Sequence, residues 1–462
     1  MRKSLNALDR SFLASERRDV MMHVGALLQF SPPKGKAPDL GRQLREELTR
    51  ETKVQPPWNL RLVHPDLLTH PLQAWTTDEA FDLEYHVRRS ALASPGDQRE
   101  LGILVSRLHG TPLDFHRPPW EAHFIEGLEN GRFAIYFKVH HSLIDGYTGM
   151  RMLMRSLSGD PNELDTPLFF ATPPVEAPKR VREDAPAPTF DSLLHGVREQ
   201  ASAAKDIGHA LANVVRAVRQ KDRQLVAPLQ APRSVLNQKI TRSRRFATQH
   251  VGIDQMKRIA AASRGTVNDV LLAICGSSLR RFLEEQEALP TRSLIAMVPV
   301  NVRPKDDPGG SGNAVGAILA SLATDVADPH ERLATVIAST RRAKDQLQGM
   351  SKSAIMQYTS LLMAPLMLSF IPGAVGRVRP AFNIVVSNVP GPETPLYFRG
   401  WKLDEMYPLS IPFHGYGLNV TVQSYAGQLG FGFIGCRDTL PHLQRLAVYS
   451  RDAADELDRA AS

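Results

Sequence analysis

A chain of 462 residues with 42% hydrophobic and 23% charged side chains has the composition of a folded globular protein, and its length suits two domains better than one. Two cysteines, Cys275 and Cys436, exclude a disulfide-stapled scaffold and a four-thiolate zinc site and point to a reducing, cytoplasmic setting. Fifty-six Lys and Arg against 48 Asp and Glu leave a net charge of +8, which suits an anionic partner such as a phosphorylated cofactor, a lipid surface or nucleic acid without choosing among them.

The opening residues, to Asp19, are interrupted by charge throughout and hold no apolar run of signal-peptide length, so a cleaved secretory signal is not expected. Residues 22–30 read as a strand, 41–51 as a helix with Leu44 and Leu48 on one face, and 100–110 as another helix. Residues 120–128 and 132–140 are β-rich runs joined by Glu129-Asn130-Gly131, a strong hairpin signal. In the second run Phe133, Ile135, Phe137 and Val139 share one face, so His140 and His141 stand where a core strand ends. Beyond Asp145-Gly146 the spacing of Met150, Leu153, Met154 and Leu157 is helical. HHSLIDG (140–146) is therefore a strand-to-helix connection, the kind of place where functional groups sit on a rigid scaffold.

Residues 171–189 turn to Pro, Ala and charge and read as an exposed linker, and 190–223 carry the apolar spacing of a long amphipathic helix. The second half opens with a strand at 245–251 and a helix near Thr266, where Thr266 and Asp269 fit a capping pattern ahead of Val270, Leu271, Ile274, Leu279 and Phe282. Further strands are expected at 293–300, 316–324, 382–387, 418–425 and 428–435. Between Lys352 and Arg377 there is no charged residue, but Gln357, Tyr358, Pro365 and Pro372 argue against a spanning helix. A buried or substrate-lining helical pair and a membrane-surface element at 353–376 both fit that stretch. The expected organisation is mixed α/β: 1–170 as one domain carrying HHSLIDG, 171–240 as linker and helix, and 241–462 as a second domain.

HHSLIDG is the main chemical signal. An imidazole is mostly neutral at cytosolic pH and can take a proton from an alcohol or amine in the transition state. Consecutive strand residues face opposite ways, so one of His140 and His141 is expected to be catalytic and the other supportive; a paired structural histidine in a turn is the competing reading. A metal site is not expected, because adjacent ligands are awkward and no third His or Cys lies at a familiar spacing. No G-x-S-x-G occurs. The G-x-G-x-x-G match at 430–435 lies inside an alternating run and reads as a glycine-containing strand. A helix cap accounts for Asp269, whereas Asn268 fits a cap or an amide facing a cavity equally well. SNVPGP (387–392) fits a rigid turn or part of a pocket.

With RPPWEAHFIEGL, HHSLIDG, TVNDVLL, PVNVRP, SNVPGP and GLNVTVQSYAGQLGFGFIGCRD in this order, the chain resembles the bacterial wax ester synthase/diacylglycerol acyltransferase family, within the CoA-dependent acyltransferase superfamily. The resemblance runs from Met22 to about residue 440. It implies two chloramphenicol-acetyltransferase-like α/β domains joined by a linker and helix, with one active site in a tunnel at their interface. The implied reaction moves a long-chain fatty acyl group from acyl-CoA to a long-chain alcohol or a diacylglycerol, by direct attack without an acyl-enzyme. A condensation-type acyltransferase using carrier-protein-bound donors is the alternative.

The same resemblance makes His141 the general base, His140 a supporting residue, and Asp145, followed by Gly146, a structural residue paired with an arginine, for which Arg303 is the candidate. It makes Asn268, Asp269 and Trp120 substrate-binding positions. One departure is Pro118-Pro119-Trp120, where the family usually has Pro-Leu-Trp. No permanently bound cofactor and no metal are expected; acyl-CoA is a substrate. Peripheral contact with the inner membrane or lipid inclusions is compatible with this reading. Nucleic acid is not an expected partner, since basic residues are dispersed and no nucleic-acid motif occurs.

Overall fold

The computed structural model describes residues 3–33, 41, 46, 53–172, 230–301, 315–348, 354–355, 358–359, 375 and 379–461. The helix expected at 190–223, nearly all of the linker before it, most of 41–51 and 353–376, and Arg303 lie outside them. In chain order the first half contains β1 (Lys3–Ser4), α1 (Ala7–Ser15), β2 (His23–Ser31), β3 (Leu60–Leu62), β4 (Ala74–Thr77), the short α2 (Leu83–His86), β5 (Val87–Ala91), α3 (Gln98–His109), β6 (Trp120–Glu126), β7 (Phe133–His140) and α4 (Gly146–Met154). The second half contains β8 (Arg244–Gly252), α5 (Ile253–Ala262), α6 (Val267–Glu284), β9 (Ile295–Asn301), β10 (Val315–Ser321), α7 (Pro329–Gln348), β11 (Ile384–Val389), β12 (Tyr397–Phe398), β13 (Trp401–Leu409), β14 (Leu418–Tyr425), β15 (Gln428–Cys436) and α8 (Arg445–Ala461).

These strands form two six-stranded mixed sheets, in the orders β12-β13-β2-β7-β6-β5 and β10-β9-β11-β14-β15-β8, and a small β1-β4-β3 sheet. The β6–β7 hairpin is antiparallel with Trp120 opposite Val139, and it turns through Asn130 and Gly131, whose φ of 60° and 67° suit Asn and Gly. Every residue of β7 is buried, because α3 covers one face and an aromatic core the other. The strand that ends at His140 is thus a rigid platform.

One boundary differs from the composition-based reading. Residues 397–409 fall in the second half of the sequence, yet β13 pairs antiparallel with β2 and extends the first sheet. Its backbone also lies against β15 of the second sheet. A Cβ on Gly432 would meet the Pro408 carbonyl oxygen at 2.0 Å, and one on Gly430 the Met406 carbonyl oxygen at 2.4 Å. Gly430 and Gly432 of the 430–435 match therefore serve close backbone approach between sheets. A shared apolar cluster joins the halves, with Leu101, Val105 and Tyr136 packed with Phe246, Tyr407, Leu409 and Ile434.

Candidate active site at the end of the first sheet

β7 ends at His140, and the chain then turns through Leu143 and Ile144, whose backbone N–H groups donate to the His140 carbonyl, into α4. The His140 N–H donates to the Pro119 carbonyl at 2.9 Å. Proline keeps the acceptor this contact needs, so the Pro119 departure leaves the strand end intact. The His140 side chain is buried. Its Nδ1 accepts the Ser142 N–H at 3.2 Å and lies 2.6 Å from Ser142 Oγ, which puts the ring proton on Nε2. Nε2 faces a Glu16 carboxylate oxygen 3.4 Å away, outside hydrogen-bond alignment, while that oxygen accepts the Met22 N–H at 2.6 Å. His140 is thereby tied into the protein interior.

His141 points the other way. Its backbone N–H donates to the Met22 carbonyl at 2.8 Å, and its ring stacks on Phe12, with centroids 4.1 Å apart and planes tilted by 24°. Nδ1 is buried and has no hydrogen-bond partner among the described residues. Burial lowers the pKa of the ring below its ordinary value, opposed by its own backbone and by the charge of Asp145. A neutral imidazole at physiological pH is what a general base requires.

His141 lines a cavity of about 670 Å³, together with Phe12, Leu60, Ile144, Asp145 and Met152. Lys3, Arg151 and Arg155 also line it. Among the described residues, the lining side chains come from positions 3–155.

Asp145 caps α4: one carboxylate oxygen accepts the Thr148 N–H at 2.9 Å and the other the Thr148 hydroxyl at 2.8 Å. That cap fixes the start of α4 beside His141. Gly146 is the first residue of α4, is exposed, and has open space where a Cβ would stand. The arginine expected to pair with Asp145, Arg303, lies outside the described residues.

Two expected substrate-binding positions, Trp120 and Asp269, are buried among protein partners. Trp120 is fully buried, donates its Nε1–H to the Trp58 carbonyl at 2.7 Å, and packs against Trp58, Phe169, Phe170 and His86. It packs in the apolar core of the first sheet. Asp269 is also buried. One oxygen accepts from Thr266 N and Oγ1, both at 2.8 Å, and the other from Thr340 Oγ1 at 2.6 Å, so a capping box and a link to α7 saturate it. Asn268 is different: it is exposed, and its Oδ1 accepts from Asn388 Nδ2 of the SNVPGP stretch at 2.6 Å. This bond leaves its amide N–H groups available as donors and joins the two motifs.

Phe12, Glu16 and the cationic lining residues had no signal in the sequence. Phe12 and Glu16 reach the histidines only because α1, capped by Asn6, folds back over the end of β7. Among the described residues no group of three or more His, Cys, Asp or Glu is arranged to hold a metal, and no helix is long and apolar enough to cross a membrane.

A family model described as the wax ester synthase/diacylglycerol acyltransferase catalytic domain matches residues 5–271, and the corresponding C-terminal domain model matches 311–458. A putative diacylglycerol O-acyltransferase of Mycobacterium tuberculosis is 53% identical, over 99% of this chain and 97% of its own. The O-acyltransferase WSD of Acinetobacter baylyi is 38% identical over 97% and 95%. Among solved structures, the wax ester synthase/diacylglycerol acyltransferase of Marinobacter aquaeolei VT8 superposes with a TM-score of 0.77 at 38% identity, covering 99% of both chains. The first condensation domain of the calcium-dependent antibiotic synthetase, 17% identical with a TM-score of 0.56 over 100% and 97%, shares the fold.

Proposed function

Because the chain belongs to the wax ester synthase/diacylglycerol acyltransferase family and is an O-acyltransferase, we propose that it transfers a long-chain fatty acyl group from acyl-CoA to a long-chain alcohol or a diacylglycerol, with His141 as general base. The observation that carries this reading is the placement of His141: its ring lines a large, partly apolar cavity, desolvated and roofed by Phe12.

The acceptor hydroxyl gives its proton to His141 as its oxygen bonds to the thioester carbonyl carbon, forming a tetrahedral oxyanion. Collapse breaks the C–S bond, and the imidazolium returns the proton to the departing sulfur, giving ester and free CoA thiol. A thiol with a pKa near 8.5 leaves far more readily than an alkoxide, so no second acid is needed. Asn268, its amide oxygen held by Asn388, is proposed to donate an N–H to a substrate oxygen. His140 and Asp145 act on the reaction through the conformation of the loop that carries His141.

The proposal includes peripheral contact with a lipid surface. It is supported by Leu67 and Leu72, 53% and 76% exposed, on the loop between β3 and β4, the strands that contribute Leu60 and Thr77 to the cavity. Buried Gln73 holds that loop by hydrogen bonds to His64 and Leu67.

The test is release of CoA thiol from palmitoyl-CoA with hexadecanol or a diacylglycerol, followed by lipid separation. His141→Ala should lose about 10²–10⁴ in rate while keeping its circular dichroism spectrum. Near-normal turnover in that variant removes His141 from the mechanism. Absence of thiol release from the parent with every acceptor removes the proposed reaction.

A further inference from the structure

The loop between β3 and β4, residues 63–73, is pinned from inside and from outside. Within it, the Leu67 N–H donates to the His64 carbonyl at 3.3 Å, the His70 N–H to the Leu67 carbonyl at 2.9 Å and the Gln73 N–H to the His70 carbonyl at 3.0 Å. From outside, the Arg10 guanidinium donates to the Pro71 carbonyl at 3.0 Å and to the Gln73 carbonyl at 3.4 Å. Arg10 belongs to α1, the helix that lays Phe12 on His141. Leu67, Pro71 and Leu72 nonetheless stay exposed. Single exposed leucines are ordinary, but apolar side chains held outward by a rigid loop beside a substrate cavity mark a surface for a partner.

Two observations identify that partner. Beneath the exposed tip, Leu68 packs on the same apolar cluster as Leu60 and Leu143, and those two also line the cavity that holds His141. Apolar side chains therefore lead from the loop to the catalytic base. Beside the tip the charge is acidic: exposed Asp66 lies 3.1 Å from His116, and Asp114 meets the same ring at 3.3 Å. Such a rim does not favour an anionic headgroup. Long-chain alcohols, diacylglycerols and the esters made from them reside in lipid and not in water, so the proposed reaction needs a passage of this kind.

We propose that the 63–73 loop is a wedge into a lipid surface of no net charge: Leu67 and Leu72 enter its acyl layer, and the acceptor passes from that layer over Leu68, Leu60 and Leu143 into the cavity without crossing water. This inference rests on the lipid-acceptor reading and goes further than contact with a surface. It makes turnover follow the acceptor's concentration within the lipid, and it makes the tie from Arg10 part of the delivery route.

Flotation with phosphatidylcholine vesicles measures binding of the full chain, the L67S/L72S double variant and R10M. Thiol release from palmitoyl-CoA is followed with diacylglycerol embedded in the vesicles and with octanol dissolved in water. L67S/L72S should bind the vesicles at least about tenfold more weakly, as expected when two leucines no longer leave water. Its kcat/KM should fall at least about tenfold for embedded diacylglycerol and stay within about twofold for dissolved octanol. R10M, which cuts the tie to α1 and leaves both leucines in place, should show the same split between acceptors to a smaller degree. Vesicle binding by L67S/L72S equal to the parent's would overturn the proposal, and so would equal losses with both acceptors, the mark of a structural role. Binding that requires phosphatidylglycerol in the vesicles would assign the contact to an anionic headgroup and overturn it too. Failure of the parent to release thiol with either acceptor would instead strike the acyl-CoA reading, while vesicle binding would still decide the wedge.

Discussion

Phe12 offers the sharpest test of how the site is built, because one ring does two things to His141. It stacks on the imidazole at 4.1 Å and, packed against Val20, Met22, Ile240 and Cys436, keeps water from it. A stacked aromatic pair contributes about 0.5–1.5 kcal/mol beyond burial. If that energy holds His141 in its productive orientation, Phe12→Ala lowers kcat/KM about two- to thirteen-fold at pH 8. The second effect has a definite sign. Burial is the largest cause of the lowered His141 pKa, so opening one face to water lets the pKa rise toward 6.5. A general base works when unprotonated, so the acid limb of the kcat/KM profile moves to higher pH and the deficit grows as pH falls. Phe12→Leu restores the apolar cover without the stack, and should return the acid limb while leaving part of the rate deficit. The assay is thiol release from palmitoyl-CoA between pH 5 and 9. An unmoved acid limb in Phe12→Ala, or a loss as large as that of His141→Ala, would refute this account.

Burial also lowers the pKa of His86 to about 4 and of His109 to about 3, and it depresses His23 and His123. The unfolded chain takes up protons on these rings below about pH 6.5 and the folded chain does not, so stability is full above that pH and lost progressively toward the folded-state values. His86 and His109 alone give a slope approaching about 2.7 kcal/mol per pH unit, and equal urea midpoints at pH 7.5 and 5.5 would contradict it. Gly432→Ala drives a methyl group into the Pro408 carbonyl, and forced overpacking costs about 1–3 kcal/mol, to be read as a lowered thermal midpoint; a neutral result would mean that the two sheets separate freely there. Thr340→Val strips buried Asp269 of the donor at its second oxygen and should cost about 1–3 kcal/mol in the same assay, with little effect on KM. A change in KM without loss of stability would mark Asp269 as a substrate contact.

Local chemistry made much of this legible. The β6–β7 hairpin followed from Asn130-Gly131 between alternating runs, the start of α6 from Thr266 and Asp269, and the loop at His140 and His141 from a strand period giving way to a helical one. Each is decided by residues a few positions apart. What escaped depends on distant partners. Nothing in residues 401–409 says that they pair with β2 instead of staying in their own half, and nothing in Phe12 says that it will lie on His141. Trp120 is marked as a substrate-binding position only by the family resemblance, and its bond to the Trp58 carbonyl and the rings around it come from partners distant in the sequence. Lys3, Arg151 and Arg155 line one cavity only once the chain has folded, which no local pattern announces.

The strand borrowed from the second half sets the order in which the protein can mature. β2 and β7 are synthesised early, yet one edge of β2 is closed only by β13. Until residues 401–409 leave the ribosome, that edge presents unpaired N–H and C=O groups that can template pairing with another nascent chain. A product truncated before Trp401 is therefore expected to precipitate and not to yield a half-sized catalyst, and the burden on chaperones falls on the interval between the two strands.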